Sequence, residues 1–334
     1  MKKIFITDYI QNPDLEKKIL QNEAEIICLN ETDENKFPKE IINADGLLVW
    51  HAKISEITLK KLKKNTAIIR YGVGIDNIDL KSVKKYGVTF ANTPDYGVSE
   101  VADTSCALIL NLIRKIHLYN NKTKLSFGKW QKEVVNINQD LPVIRTSEHK
   151  LGIIGLGRIG SSLALRMKNF DMQVGFYDPY VGSGYEKVLG IKKYETLDEL
   201  KSNSSIISIN ATLNSETKKM VNEKFINSLN NNTILINTAR GAIVENLDII
   251  LDGLKKNKLS AVGLDVLPEE PPKENEDLIK VWRNSQDKLS ERIIINPHAG
   301  YYSTTSIKEM RTKASSNMLS FLKGEKVKNI VEYK

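Results

Sequence analysis

Cysteine and histidine are scarce in this chain, and long apolar runs are missing. Two cysteines, Cys28 and Cys106, stand far apart among 334 residues. That excludes a disulfide framework and any cysteine-based metal or redox spacing. Two reduced, buried thiols in a cytoplasmic protein are expected, and no metal. The four histidines are His51, His117, His149 and His298, which leaves few candidates for acid–base work. The longest apolar stretches, such as 107–113 with Asn111 inside it, are too short to span a bilayer. The opening segment turns polar at Asp8, too early for a secretory signal. A soluble protein with no membrane partner is the expectation.

Positive charge is in excess but not gathered. Lys and Arg total 49 against 41 Asp and Glu, a net charge of +8. A nucleic-acid partner would concentrate basic residues in a stripe or tail. The short runs Lys60-Lys61, Lys63-Lys64 and Lys255-Lys256 instead resemble solvated helix faces. No nucleic-acid partner is expected. An apolar content of 41% and a charged content of 27% suit a globular protein. The length allows two domains, each with its own core.

Short β-type apolar runs alternate with helical patterns. Strands are expected at 3–7, 25–29, 46–50 and 67–71, with helices at 14–21 and 56–63. A second cycle has strands at 151–155, 173–177, 205–210, 233–237, 261–265 and 293–296, with a helix at 157–169. Long helical patterns at 98–119 and 303–323 flank it. Such alternation predicts parallel sheets with helices on both faces. The fold class is therefore α/β, two doubly wound Rossmann-like domains with a cleft between them. The long helices are expected to cross between the domains, making the first one discontinuous. The expected division is 1–99 plus 301–334 for the discontinuous domain and 100–300 for the inserted one.

Gly155-Leu156-Gly157-Arg158-Ile159-Gly160 has the G-x-G-x-x-G spacing between a predicted strand and a predicted helix. Gly155 permits the tight turn, Gly157 lets the backbone approach a pyrophosphate, and Gly160 allows close helix–strand packing. The helix N-terminus offers N–H groups and a positive dipole end to phosphates. Asp178 follows the next strand, where an acid binds ribose hydroxyls and repels the 2′-phosphate of NADP. NAD is the expected cofactor.

Three further segments follow strands: Asn237-Thr238-Ala239-Arg240-Gly241, Asp265 leading to Glu269-Glu270-Pro271, and Asn296-Pro297-His298-Ala299-Gly300. Residues past the carboxyl ends of strands line the ligand crevice of an open α/β sheet. Reduction of a 2-oxo acid needs a cation for the carboxylate, a proton donor of near-neutral pKa, and a carboxylate to orient that donor. Arg240, His298 and Glu270 can meet these needs. Glu269 and Glu270 also suit a merely solvated acidic turn.

These residues, with Arg70-Tyr71-Gly72-Val73-Gly74-Ile75-Asp76-Asn77, Pro94-Asp95-Tyr96-Gly97, Tyr177-Asp178-Pro179-Tyr180 and His298-Ala299-Gly300-Tyr301, make the chain resemble the D-isomer-specific 2-hydroxyacid dehydrogenases. Within that family it looks most similar to the group containing the C-terminal-binding proteins. The resemblance implies an NAD-dependent dehydrogenase acting on a small 2-oxo or 2-hydroxy acid, and a homodimer. It implies that Arg240 grips the carboxylate, that His298 is the acid/base, and that Glu270 rather than Glu269 is its partner. It places Arg158 and Ile159 at the pyrophosphate, Asp265 near the nicotinamide carboxamide, and Thr212 on a cofactor-side loop. Thr238, Ala239 and Gly300 are also expected on the cofactor side.

Val73 and Gly74 match a loop whose N–H groups hold the substrate carboxylate. Tyr71, Tyr96, Tyr301, His51 and Lys53 are expected near the substrate, and Arg70 or Lys53 is a candidate for a second anionic group. Asn210-Ala211-Thr212-Leu213 departs from the family's usual His-x-Pro-Leu, and the charged stretch 273–292 is expected to be a surface excursion. The rival expectation is an NAD(H)-sensing scaffold that binds protein partners.

Overall fold

The structure is a computed structural model of the chain, and it describes residues 1–125, 130–137 and 142–332. It divides into two compact units, Met1–Gly97 with Tyr302–Lys334, and Val98–Tyr301.

In the first unit, β1 (Lys2–Ile6), β2 (Ala24–Cys28), β3 (Gly46–Val49), β4 (Ala67–Arg70) and β5 (Thr89–Ala91) form a five-stranded sheet in the order β2-β1-β3-β4-β5. Every pairing is parallel. β3 and β4 are buried along their whole length, as a sheet covered on both faces requires. One cover is the helix Thr304–Leu322, which lies on β3 and β4 and against the helix Asp14–Leu20. Met310, Ala314 and Met318, spaced four apart, form its buried stripe. Gly46 makes room for it: a Cβ there would stand 2.4 Å from Met318 Sδ. A Ser303–Ser306 capping box fixes where this helix starts.

In the second unit the strands are β6 (Lys150–Ile154), β7 (Gln173–Tyr177), β8 (Lys192–Lys193), β9 (Ile206–Ile209), β10 (Thr233–Asn237), β11 (Leu259–Leu264) and β12 (Ile293–Ile295). They form a seven-stranded sheet in the order β12-β11-β10-β9-β6-β7-β8, again all parallel. Helices Val98–Arg114 and Arg158–Lys168 share one apolar core with the sheet, and Leu247–Lys255 and Asp277–Arg283 share another. The strand order reverses at β6, so the carboxyl end of β6 is a topological switch point. The expected α/β class with two doubly wound sheets is what the chain forms.

Three local expectations differ. The pattern 98–119 is two helices, Val98–Arg114 and Ile116–Leu125. Lys115 breaks it at φ +54°, and the Asn111 Oδ1 accepts from the His117 N–H at 2.9 Å to start the second helix. The helix expected at 56–63 is only Glu56–Leu59. Lys60, Lys63 and Lys64 would stack like charges at three- and four-residue spacing if it continued. Finally, 273–292 is not merely a surface excursion. Its helix Asp277–Arg283 buries Leu278 and Ile279 in the core, burial worth about 1.5–3 kcal/mol per side chain.

Candidate active site

The glycine loop begins where β6 ends. Gly155 has φ +91°, and its N–H donates to the Tyr177 carbonyl at 2.9 Å. A Cβ on Gly155 would stand 2.7 Å from the Ala211 backbone, and one on Gly160 would stand 2.2 Å from the Gly155 carbonyl oxygen. Both positions therefore require glycine for close backbone approach. Gly157 differs: a Cβ there would meet nothing within 4 Å among the described residues. It precedes the helix Arg158–Lys168, and no side chain among the described residues caps that helix. Arg158 is exposed and Ile159 half-buried at its start. Space beside an uncapped helix N-terminus suits a pyrophosphate.

Asp178, past β7, closes the other side. Its carboxylate accepts the Leu156 N–H at 2.8 Å and the Tyr180 N–H at 2.9 Å, so the glycine loop and the acid are one piece. In the neighbouring loop Thr212 is exposed, while the Asn210 Nδ2 is buried and without a partner among the described residues. The residues present fit NAD: open space at Gly157, free helix-end donors, and a fixed acid where a ribose hydroxyl would sit.

The strand-end set forms around β10, β11 and β12. Asn237, fully buried, holds the turn that follows it. Its Oδ1 accepts from Ala239 N at 3.0 Å, and its Nδ2 donates to the Arg240 carbonyl at 3.0 Å. Thr238 is pinned by a 2.7 Å hydroxyl contact with Ser105. Gly241 lets this turn press onto the next loop, because a Cβ there would stand 1.7 Å from the Leu267 carbonyl oxygen. Glu270 lies three residues beyond Leu267, and its Oε1 accepts the Leu267 N–H at 2.8 Å. Its Oε2 meets His298 Nδ1 at 2.8 Å.

Asp265 organises the last loop. It is 2% exposed. Its carbonyl accepts His298 N–H at 2.8 Å, and its carboxylate accepts the N–H groups of Ala299 at 3.0 Å and Gly300 at 3.0 and 3.1 Å. Those bonds hold His298 in the left-handed region at φ +55°, a conformation a non-glycine residue keeps only when its surroundings impose it. Tyr301 packs its ring edge-on to His298 at 6.2 Å. Burial, only partly offset by the Gly300 and Ala299 N–H groups and His298, raises the Asp265 carboxyl above the ordinary range. For Glu270 burial also pushes up, but His298, the Leu267 N–H and the Arg240 charge together hold it below that range. Glu270 is thus kept as a carboxylate beside Nδ1 of the imidazole. The second unit brings Arg240, Glu270 and His298 into one electrostatic group, and Glu269 instead pairs with Lys273 at 2.9 Å.

In the first unit the expected substrate residues separate into two sets. His51 and Lys53 are exposed after β3, Val73 is 37% exposed and Gly74 half-buried after β4. Tyr71 and Tyr96 are 0% and 7% exposed. The Tyr71 hydroxyl donates to Glu16 Oε1 at 3.1 Å, and Glu16 also takes Arg311 Nε at 2.7 Å. Tyr71 is therefore a core residue and not a pocket wall, and the buried Tyr96 ring is likewise no exposed wall. Arg70, at 8% exposure, lies under the loop. Its Nε–H donates to Asn77 Oδ1 at 3.0 Å, and its guanidinium fills the space a Cβ on Gly72 would need. It supports the loop from below and is not presented as a second anion site.

The sequence places Asn237 and Asn77 within motifs without giving them a role, and Ser105, Asp8 and Asn92 escape it as site residues altogether. Asp8 accepts the Trp50 and His51 N–H groups at 3.2 and 2.5 Å, and Asn77 donates to the Ala52 carbonyl at 2.9 Å. A polar residue at the end of an otherwise apolar strand was the available signal for Asn237 and Asp8. The others carried none.

Residues 106–300, more than half of the chain, match the model of the D-isomer specific 2-hydroxyacid dehydrogenase, NAD binding domain. The chain belongs to this family, and its second unit carries the family's NAD-binding domain. Over 99% of its length it is 29% identical to D-3-phosphoglycerate dehydrogenase of Methanocaldococcus jannaschii, covering 59% of that protein. Over 93% of its length it is 27% identical to C-terminal-binding protein 1 of Caenorhabditis elegans, covering 42% of that protein. The chain thus spans less than two thirds of the length of each of these curated relatives. The crystal structure of D-lactate dehydrogenase from Aquifex aeolicus, complexed with NAD and lactic acid, superposes with a TM-score of 0.83 at 27% identity, over 96% of each chain.

Proposed function

We propose that this chain is an NAD-dependent D-2-hydroxyacid dehydrogenase that interconverts a small 2-oxo acid and its 2-hydroxy acid. The observation that carries the reading is the 2.8 Å contact between Glu270 Oε2 and His298 Nδ1. That contact commits Nδ1 to Glu270 and leaves proton exchange with substrate to Nε2, across the ring. On reduction, the Nε2 proton passes to the substrate's carbonyl oxygen, and Glu270 stabilises the imidazolium beforehand. On oxidation the same nitrogen takes the hydroxyl proton. Arg240 meets the substrate carboxylate through its planar guanidinium. Asp265 fixes the loop that carries His298. Asp178 takes the adenosine ribose hydroxyls, and the Arg158–Gly160 helix end takes the pyrophosphate. When bound, NAD supplies or accepts the hydride at its nicotinamide ring.

The test is NADH oxidation with a panel of 2-oxo acids, wild type against His298→Ala. The variant should lose between about a hundredfold and ten-thousandfold in turnover while still binding NADH. Tight NADH binding with no turnover of any 2-oxo acid by the wild type overturns the reading and favours a cofactor-sensing scaffold. The same preparation, sedimented at assay concentration, tests the homodimer that family membership suggests.

A further inference from the structure

The loop after β4 is held from one side by two consecutive residues. Asn92 Nδ2 donates to the Val73 carbonyl at 2.7 Å. The Thr93 N–H donates to the Gly72 carbonyl at 3.2 Å. Only the amide nitrogen of Asn92 can face a carbonyl oxygen, so the orientation of its side chain is fixed by chemistry. The Asn92 backbone is itself anchored, its N–H donating to the Asn329 carbonyl at 3.3 Å, and Thr93 Oγ1 donates to the Arg70 carbonyl at 2.9 Å.

These two bonds have a consequence on the opposite side of the loop. In a trans peptide unit the carbonyl and the N–H point in opposite directions. The Val73 carbonyl shares its peptide unit with the Gly74 N–H, and the Gly72 carbonyl shares its unit with the Val73 N–H. Holding both carbonyls toward Asn92 and Thr93 therefore turns both N–H groups away from them, side by side. Neither N–H donates to any group among the described residues. Adjacent N–H groups facing one way form an anion-binding concavity. A hydrogen bond accepted at each carbonyl also polarises its peptide unit, which strengthens the donor at the far end.

We propose that Asn92 is a positioning residue for this donor pair, setting the plane of the Val73–Gly74 peptide so that it receives the carboxylate of a 2-oxo acid. This rests on the dehydrogenase reading above. Asn92 touches no reacting atom and acts only through the peptide it holds.

Asn92→Asp tests the idea, because it keeps the shape and replaces the donor with an oxygen that repels the Val73 carbonyl. Asn92→Ala removes the donor without adding charge. Both variants are expected to raise KM for the 2-oxo acid about tenfold, the size of one lost hydrogen bond to a charged arrangement. The inhibition constant of oxamate, which carries the carboxylate but no reducible ketone, should rise in the same proportion. NADH affinity and melting temperature should not move, which a merely structural role would not predict. The amide resonance of Gly74 in the ligand-free full chain should shift in both variants.

An unchanged Gly74 resonance with unchanged oxamate inhibition overturns the proposal. A wild type that neither turns over 2-oxo acids nor binds oxamate would sink the dehydrogenase reading instead, and the Gly74 resonance would still decide the role of Asn92 in setting that peptide.

Discussion

At the strand ends of the second unit, beside the polar bridges made by Asp178, Asn237 and Asp265, the backbone also closes on itself at three glycines. Gly155 abuts the Ala211 backbone, Gly160 the Gly155 carbonyl and Gly241 the Leu267 carbonyl. At the strand ends of the first unit the segments are bridged by polar side chains. Asp8 ties β1 to the loop after β3, Asn77 ties that loop to the one after β4, and Asn92 ties the latter to β5. The two sheets share an all-parallel architecture and face the same problem, which is to fix several loops without strands to hold them. Backbone-to-backbone contact gives a rigid loop that tolerates no added atom. Side-chain bridging gives a loop held by single hydrogen bonds, each removable without a clash.

That contrast can be broken by substitution. The largest effect is expected for Gly241→Ala, since its Cβ would stand 1.7 Å from the Leu267 oxygen and the backbone must move. Overpacking of this kind costs about 1–3 kcal/mol, and here it also separates Arg240 from Glu270. A melt and a kcat/KM measurement should both fall; an unaltered melting temperature would show that the turn yields freely and would remove the contrast.

Tyr71→Phe comes next. It deletes one bond to Glu16 while leaving the Arg311–Glu16 pair, so about 1 kcal/mol of stability should go, with KM for the oxo acid unmoved. A raised KM would return Tyr71 to the binding site.

The smallest effect concerns pH. The Glu270 carboxyl is held below its ordinary 4.5, so the unfolded chain takes up its proton first as pH falls. Its contribution is present above pH 4.5 and is lost as pH falls through the lower folded-state value. The stability of wild type relative to Glu270→Gln should therefore shrink across that window in pH-dependent melts. The effect should be modest, because the side chain is 37% exposed. A gap that widens on acidification would contradict the sign.

The same contrast explains what could be read in the amino-acid order. Glycines that permit close approach recur at fixed offsets, so the Gly155–Gly160 loop and its distance to Asp178 were visible without coordinates. The alternation of strands and helices was visible because each buried parallel strand is a continuous apolar run. The partners of Asn77 and Asn92 were not visible, since an asparagine in a loop has many possible partners and its carbonyl target lies on another segment. Tyr71 and Arg70 were misplaced for a related reason. Their capture by Glu16 and Asn77 depends on which helix and which loop happen to pack beside β4. The break at Lys115 lacked the glycine or proline that usually announces one, and β5 and β8, at three and two residues, are too short to show a period.

The first unit is interrupted in the chain by the whole of the second. Its five strands leave the ribosome early, yet Thr304–Leu322, which covers β3 and β4 and supplies Arg311 to Glu16, is synthesised after everything in the second unit. During translation, therefore, Gly46 and its neighbours wait with one apolar face uncovered and Glu16 without its arginine. The contiguous second unit has its whole sequence available before that helix emerges. The order of completion is built into the connectivity: the cofactor half can finish first, and the half that carries Val73 and Gly74 is sealed last.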